Sequence, residues 1–197
     1  MAQIIIRPLR ESDAPSVCKI WCNGLSQTTQ HAIPWFLRPF ATQKMNEMRD
    51  VAISNDGDVG PNGSNLIKMY GEKSDRQMFV ACEQGVAPEV VLGCCAVKKG
   101  MDEHKEEHES DIASIWRMSV DESQRGKGIA TMLMQECERF AKDDLQCKRI
   151  GLWTLNPVAA NFYTSRMGYR REDYAYVSDS WLAKLFIPPA FRYEKDL

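Results

Sequence analysis

Residues 118–130 constrain the fold more than any other part of the sequence. An apolar run that ends at Val120 predicts a strand, and apolar residues at helical spacing predict an amphipathic helix over residues 128–142. Between them lies a turn with two glycines and two cations: Arg125, Gly126, Lys127 and Gly128. A strand that passes so directly into a helix is typical of α/β proteins.

This turn has the properties of an anion-binding site. The first amides of a helix lack internal acceptors, and the helix dipole adds partial positive charge at the same end. Glycines let a phosphate approach the backbone without meeting a Cβ atom, and Arg125 and Lys127 add positive charge. A tight turn with solvated cations explains the same residues. A Walker P-loop is disfavoured because no Gly-Lys-Ser or Gly-Lys-Thr ends the turn, and the Rossmann spacing is missing.

The remaining pattern predicts a single domain over residues 1–197. Asp13 or Ser12 caps a first helix, whose apolar face includes Val17. A loop rich in Gly, Asn and Asp follows a second helix. Besides the strand at residues 112–120, the pattern predicts six strands, over residues 3–7, 77–83, 90–98, 149–155, 169–176 and 191–195. Two further helices are predicted over residues 33–51 and 157–166, and the loop spans residues 54–64. This order favours a mixed sheet with helices on both faces.

Composition narrows the class of protein. The net charge of −2 argues against a general nucleic-acid binder, which would be basic. No run approaches the ~18 apolar residues of a spanning helix, and residues 1–8 read as a strand rather than a targeting peptide. We therefore expect a cytoplasmic protein, monomeric or homodimeric, that binds neither nucleic acid nor membrane.

The seven cysteines are expected to be reduced thiols that pack as small hydrophobes, because their number is odd and several lie inside apolar runs. Cys18 and Cys22 are four residues apart on a predicted helix, but no second pair of ligands accompanies them. His104 and His108 have the same spacing within a charged run that lacks the zincin glutamate, which favours a solvated loop. We therefore expect no metal site.

The turn resembles the pyrophosphate-binding turn of the GNAT acetyltransferases. Arg125-x-x-Gly128-x-Ala130 matches their pattern Q/R-x-x-G-x-G/A. The resemblance implies the GNAT fold, a central, mixed, mostly antiparallel twisted sheet of about seven strands with helices on both faces. It also implies acetyl-CoA as co-substrate. The residues whose amides would then bind its pyrophosphate are Arg125, Gly126, Lys127, Gly128, Ile129 and Ala130.

The strand before the turn also fits the family, through Met118-Ser119-Val120. The resemblance implies that the Met118 amide bonds the acetyl carbonyl and that the Val120 amide bonds the pantetheine arm. Ser119, between them, is placed with the cofactor-binding residues on the same ground.

A second match follows at family spacing, Asn156-x-x-Ala159-x-x-Phe162-Tyr163. The resemblance implies that Asn156 and Phe162 contact coenzyme A and that Tyr163 protonates the departing thiolate. From the residues alone, Asn156 caps a helix that begins at a proline, and Tyr163 is equally compatible with a core aromatic. The stretch from Tyr163 to Gly168 holds one residue more than the family's, which we expect to distort the end of the helix.

The general base stays open, because Ser114 stands where some GNAT enzymes carry a glutamate. Asp111, Glu109 or a chain of waters are the alternatives. The reaction implied is direct attack by a primary amine on acetyl-CoA in a ternary complex, the amine belonging to a small molecule, an amino-acid derivative, a peptide or a protein. Four large side chains are expected to shape the acceptor site: Trp35, Phe36, Phe40 and Met45.

Two other functions stay compatible with the sequence. The missing glutamate permits a GNAT-fold module that binds an acyl-CoA as a sensor or partner-binding domain without turnover. The second is an acyltransferase that uses a different acyl donor, such as succinyl-CoA.

Overall fold

The computed structural model describes residues 3–32, 35, 38–71, 73–85, 89–101, 111–154, 156–176 and 189–197. Its strands are β1 Ile4–Pro8, β2 Arg76–Glu83, β3 Val91–Lys99, β4 Ile112–Val120, β5 Arg149–Thr154, β6 Arg170–Ala175 and β7 Ala190–Asp196. Its helices are α1 Ala14–Ala32, α2 Arg38–Ala52, α3 Ser64–Tyr70, α4 Ile129–Asp143 and α5 Pro157–Asn161, and a π-helical turn, Phe162–Arg166, continues α5.

The seven strands form one sheet in the order β1-β2-β3-β4-β5-β7-β6. β4 and β5 are parallel, and every other neighbouring pair is antiparallel. Each predicted strand is present within a residue or two of its expected bounds, and the expected α/β architecture with a mostly antiparallel seven-stranded sheet is confirmed.

A hydrophobic core lies on each face of the sheet. α4 buries Leu133 and Cys137 against one face, together with the tyrosines that follow α5. α1 and α3 cover the other face, where Val17 and Leu66 are almost fully buried. All seven cysteines lie within the described residues and are free thiols, six of them buried, as expected from their apolar surroundings.

An ion-pair cluster fastens β1 to the start of α1. Arg7 donates to the Asp13 carboxylate at 2.6 Å, and the Arg10 amide donates to the same carboxylate at 2.8 Å. Burial opposes ionisation of Asp13, but the hydrogen bonds from Arg7 and Arg10 prevail, so its pKa lies below the ordinary value. Glu89, in the connection between β2 and β3, also accepts a hydrogen bond from the Arg7 guanidinium, at 2.6 Å.

α3 is the element that the sequence did not predict. It follows the expected loop of residues 54–64 and is only seven residues long, too short for a clear helical period. Tertiary packing accounts for it, since Leu66 and Tyr70 are buried against the sheet. Among the described residues, no helix is long and apolar enough to cross a membrane.

Candidate active site

The sheet opens between its two central strands. β4 and β5 pair over three positions, the last joining Ser114 to Gly151. β4 then continues to Val120, while β5 keeps only its ladder with β7. A cleft therefore separates residues 115–120 of β4 from residues 152–154 of β5.

Backbone amides of β4 line one side of this cleft. The Asp121 amide donates to the carbonyl oxygen of Leu92 in β3, at 2.9 Å. Because successive amides of a strand point in opposite directions, the amides of Val120 and Met118 point away from β3 and toward the cleft. These are the two amides that the sequence resemblance assigns to the acyl donor, and their contact with it stays a prediction.

The cleft leads to the glycine turn before α4. Gly126 and Gly128 have φ of 81° and 82°, a region that residues with a side chain rarely adopt. A Cβ atom at either position would meet nothing within 4 Å. Gly128 immediately precedes α4, so the first amides of a 15-residue helix face this open space. The geometry suits a phosphate group.

The charged side chains of the turn lie at its surface. Arg125 and Lys127 are exposed, and the Lys127 ammonium donates to the Gln124 side chain at 2.6 Å. Asp121 accepts hydrogen bonds from the hydroxyl and amide of Ser123, which lower its pKa and fix the single helical turn that follows β4. A cavity of about 450 Å³ separates this segment from α1, which lines it with residues that include Lys19 and Asn23. No sequence signal marks these two residues, because only the fold brings α1 to the turn.

Ser119 is engaged by α1. Its hydroxyl donates to the carbonyl oxygen of Ile20 at 3.2 Å, and it lies so close to Gly24 that a Cβ atom there would be 2.4 Å from the hydroxyl oxygen. The helix therefore packs tightly across β4. Its backbone pairs with Cys94 of β3, so a contact between Ser119 and the cofactor stays a prediction.

The segment after β5 carries the tyrosine that the resemblance singles out. Tyr163 is buried, and its ring centroid lies 5.3 Å from that of Phe162, 6.1 Å from that of Tyr169 and 6.4 Å from that of Tyr193. Burial raises the pKa of its phenol well above the ordinary value, so the group stays protonated near neutral pH.

The extra residue after Tyr163 is accommodated by a change of helix type. α5 passes into the π-helical turn at Phe162, and such a turn is how a helix absorbs one inserted residue. The side-chain oxygen of Asn156 lies 3.4 Å from the Ala159 amide, the contact expected of a residue that caps α5. The predicted distortion is thus found where it was expected.

Two of the positions considered for the general base, Ser114 and Asp111, lie in the described part of the chain. Ser114 is buried, donates to the carbonyl oxygen of Gly100 at 2.6 Å and accepts from the Trp116 indole at 2.8 Å. Asp111 lies 3.2 Å from the Arg149 guanidinium. Glu109 lies outside the described residues, as do His104, His108 and Phe36.

The expected acceptor residues are only partly described. Trp35 is 77% exposed, so it does not belong to the core. Phe40 and Met45 lie on α2, but their side chains are outside the described part of the chain. In the residues that are described, no group of three or more His, Cys, Asp or Glu could hold a metal ion.

Comparison with known families decides the class of protein. The sequence profile of the acetyltransferase (GNAT) family matches residues 43–169. The chain belongs to the GNAT acetyltransferase family. Comparison with curated protein sequences gives no match.

Solved GNAT structures share the fold along nearly the whole chain. PaiA N-acetyltransferase from Thermoplasma acidophilum, in complex with coenzyme A, superimposes with a TM-score of 0.66 at 17% identity, covering 99% of each chain. A GCN5-related N-acetyltransferase from Kribbella flavida gives 0.62 at 14% identity and 98% of each chain. Spermidine/spermine N-acetyltransferase SpeG from Vibrio cholerae, in complex with manganese ions, gives 0.59 at 16% identity, covering 98% of this chain and 92% of its own. At these identities the likeness concerns the fold.

Proposed function

We propose that this GNAT protein is an N-acetyltransferase that moves the acetyl group of acetyl-CoA to a primary amine. One observation carries the proposal, a cleft in the sheet whose edge amides lead to an open, glycine-lined helix start. Together these offer donors for a thioester, an amide-bearing arm and a pyrophosphate in the order in which coenzyme A carries them. The complex of the Thermoplasma neighbour with coenzyme A supports the same ligand class.

The chemistry asks three things of the protein. The amine must be neutral when its nitrogen bonds to the thioester carbon, and its surplus proton then passes to a base or to water. The carbonyl oxygen gains charge as the C–N bond forms, and fixed backbone amides such as that of Met118 stabilise it. The C–S bond breaks last, and the sulfur takes a proton.

Tyr163 is our candidate for the proton donor. Burial keeps its phenol protonated near neutral pH, so the group has a proton to give, and the same rise in pKa makes it a weaker acid than an ordinary phenol. Edge-on and tilted contacts with the rings of Phe162 and Tyr169 hold its ring in place. No side chain is assigned as the base, because Asp111, the described candidate, pairs with Arg149. Deprotonation of the amine by water is the arrangement we propose.

The acceptor class is a primary amine of a small molecule or a peptide. The Vibrio neighbour is a spermidine/spermine acetyltransferase, which makes polyamines the first members of the test panel. Amino acids and peptides with free N-termini complete the panel.

The test is release of thiol from acetyl-CoA in the presence of each amine, with mass spectrometry of the product. We expect acetylated amine and free coenzyme A in equal amounts with at least one acceptor. Acetyl-CoA binding without turnover on any amine would favour the sensor function. Faster turnover with succinyl-CoA would favour the other acyl donor.

A further inference from the structure

β4 contains a bulge immediately before Met118. Arg117 has φ of 54°, in the left-handed region. The register against β3 shifts by one residue between Cys94 and Ala96, so β4 carries one residue more than its partner there. A bulge of this kind re-aims the residues beside it. The direction of the Met118 amide therefore depends on the conformation of Arg117.

A residue with a side chain stays in the left-handed region only where its surroundings hold it there. The guanidinium of Arg117 supplies such contacts in three directions. It pairs with the Asp58 carboxylate in the loop before α3, donates through Nε to the Tyr70 hydroxyl of α3 at 3.2 Å, and lies 4.8 Å from the ring centroid of Trp21 in α1. We call these four residues the Arg117 clamp.

The backbone is held as well, because the Cys94 thiol lies 3.4 Å from the carbonyl oxygen of Arg117. The Arg117 side chain is only 7% exposed, and Tyr70 is buried. Burial raises the pKa of Tyr70, so its hydroxyl stays neutral and can accept from the guanidinium. Asp58 is 46% exposed, so its carboxylate reaches the buried guanidinium from the surface, and such charge-assisted bonds are directional.

The clamp joins the bulge in β4 to α1 and α3, the helices that cover the face of the sheet opposite α4. Its members come from three parts of the chain: α1, the loop before α3 together with α3 itself, and β4. Whatever moves α1 or α3 relative to the sheet therefore acts on the residue that precedes the Met118 amide.

We propose that Arg117 is a positioning residue, which fixes the bulge so that the Met118 amide is aimed at the acyl carbonyl in the cleft. This inference rests on the proposed function, because Arg117 acts only through that amide. A donor must lie about 2.7–3.1 Å from the oxygen that gains charge. A displacement of about 1 Å costs roughly 100-fold in rate.

The main test is Arg117→Gly, because glycine adopts positive φ freely and keeps the bulge accessible while removing the clamp. Three quantities are measured: kcat with the best amine of the panel, the affinity for coenzyme A, and the NMR shift of the Met118 amide between the coenzyme A and acetyl-CoA complexes. The last needs no acceptor. We expect kcat to fall about 100-fold, the acetyl-dependent shift of Met118 to shrink, and coenzyme A affinity to persist. Arg170→Ala, which removes an exposed arginine paired with Asp196, is the control and should change none of them.

Asp58→Asn is the second variant, since it keeps the size of the side chain and removes the charge that holds the guanidinium. It decides the question should the glycine variant fail to fold. The proposal would be overturned if the folded variants kept the wild-type kcat and the wild-type Met118 shift. A lower melting temperature with both quantities unchanged would overturn it equally. Failure of the proposed function is distinguishable, because the wild-type protein itself would then show no turnover with any amine of the panel.

Discussion

Replacing Gly128 by alanine separates phosphate binding from folding. Gly128 has φ of 82° directly before α4, and a Cβ atom there would point into open space. Left-handed backbone costs a residue with a side chain roughly 1–2 kcal/mol. For a domain of about 150–250 residues, 1 kcal/mol shifts the melting temperature by about 2–4 °C. Gly128→Ala should therefore melt about 2–8 °C lower without ligand.

The loss of ligand affinity should exceed what strain explains. The new methyl group stands where we place the pyrophosphate, so at least one charge-assisted hydrogen bond to a helix amide is lost, at about 1.5–3 kcal/mol. The dissociation constant for acetyl-CoA should rise roughly 10- to 150-fold, since each 1.4 kcal/mol is tenfold.

Gly85 supplies the matched control. It has φ of 89° and lies in the β2–β3 turn, and a Cβ atom there would likewise meet nothing within 4 Å. Gly85→Ala should lose a similar amount of stability and bind acetyl-CoA like the wild type. Calorimetry on both folded variants measures the affinities, and thermal melts measure the strain. Equal affinities for the two variants would refute the assignment of the phosphate site.

Three further predictions concern the ligand, the proton donor and the loss of stability at acid pH. Acetyl-CoA at a hundredfold excess over its dissociation constant should stabilise the fold by about 2.7 kcal/mol in thermal melts, and a larger shift with ATP or NAD would contradict the cofactor class. Tyr163→Phe should lower kcat by up to ~100- to 10,000-fold at an unchanged melting temperature, and equal turnover would remove Tyr163 from the mechanism. Because the pKa of Asp13 is lowered by Arg7, its stabilising effect is present above the unfolded pKa of about 3.9 and is lost as pH falls through the folded value. Denaturant titrations of Asp13→Asn should show a flatter decline below pH ~4 than the wild type, and an identical decline would exclude this pair.

The sequence was sufficient for the sheet and for the turn. The hydrophobic pattern of each strand, such as β4, and of the amphipathic α4 lies within the segment itself. The predicted positions therefore agree with the structure. The one-residue insertion after Tyr163 was also readable, because a π-helical turn is the local response to it. The family profile matches residues 43–169, a range that includes residues 125–130.

What the sequence could not predict depends on contacts between distant segments. α3 is stabilised by burial of Leu66 and Tyr70 rather than by its own propensity. The bulge at Arg117 involves partners in three other segments, and nothing in the local sequence marks a left-handed arginine. Three of the four side chains predicted to shape the acceptor site lie outside the described part of the structure, so their role stays a prediction. The roles of Tyr163 and of the turn residues are predictions of the same kind.

The most direct test of the account follows the acetyl group itself. Acetyl-CoA labelled with carbon-13 at the carbonyl is incubated with the protein and the best amine of the panel, and the carbonyl resonance is followed by NMR. We predict that the thioester signal is replaced by an amide signal on the acceptor, with one free thiol released for each amide formed. Label that remains on coenzyme A with every amine, or that appears only as acetate, would contradict the proposed acetyl transfer.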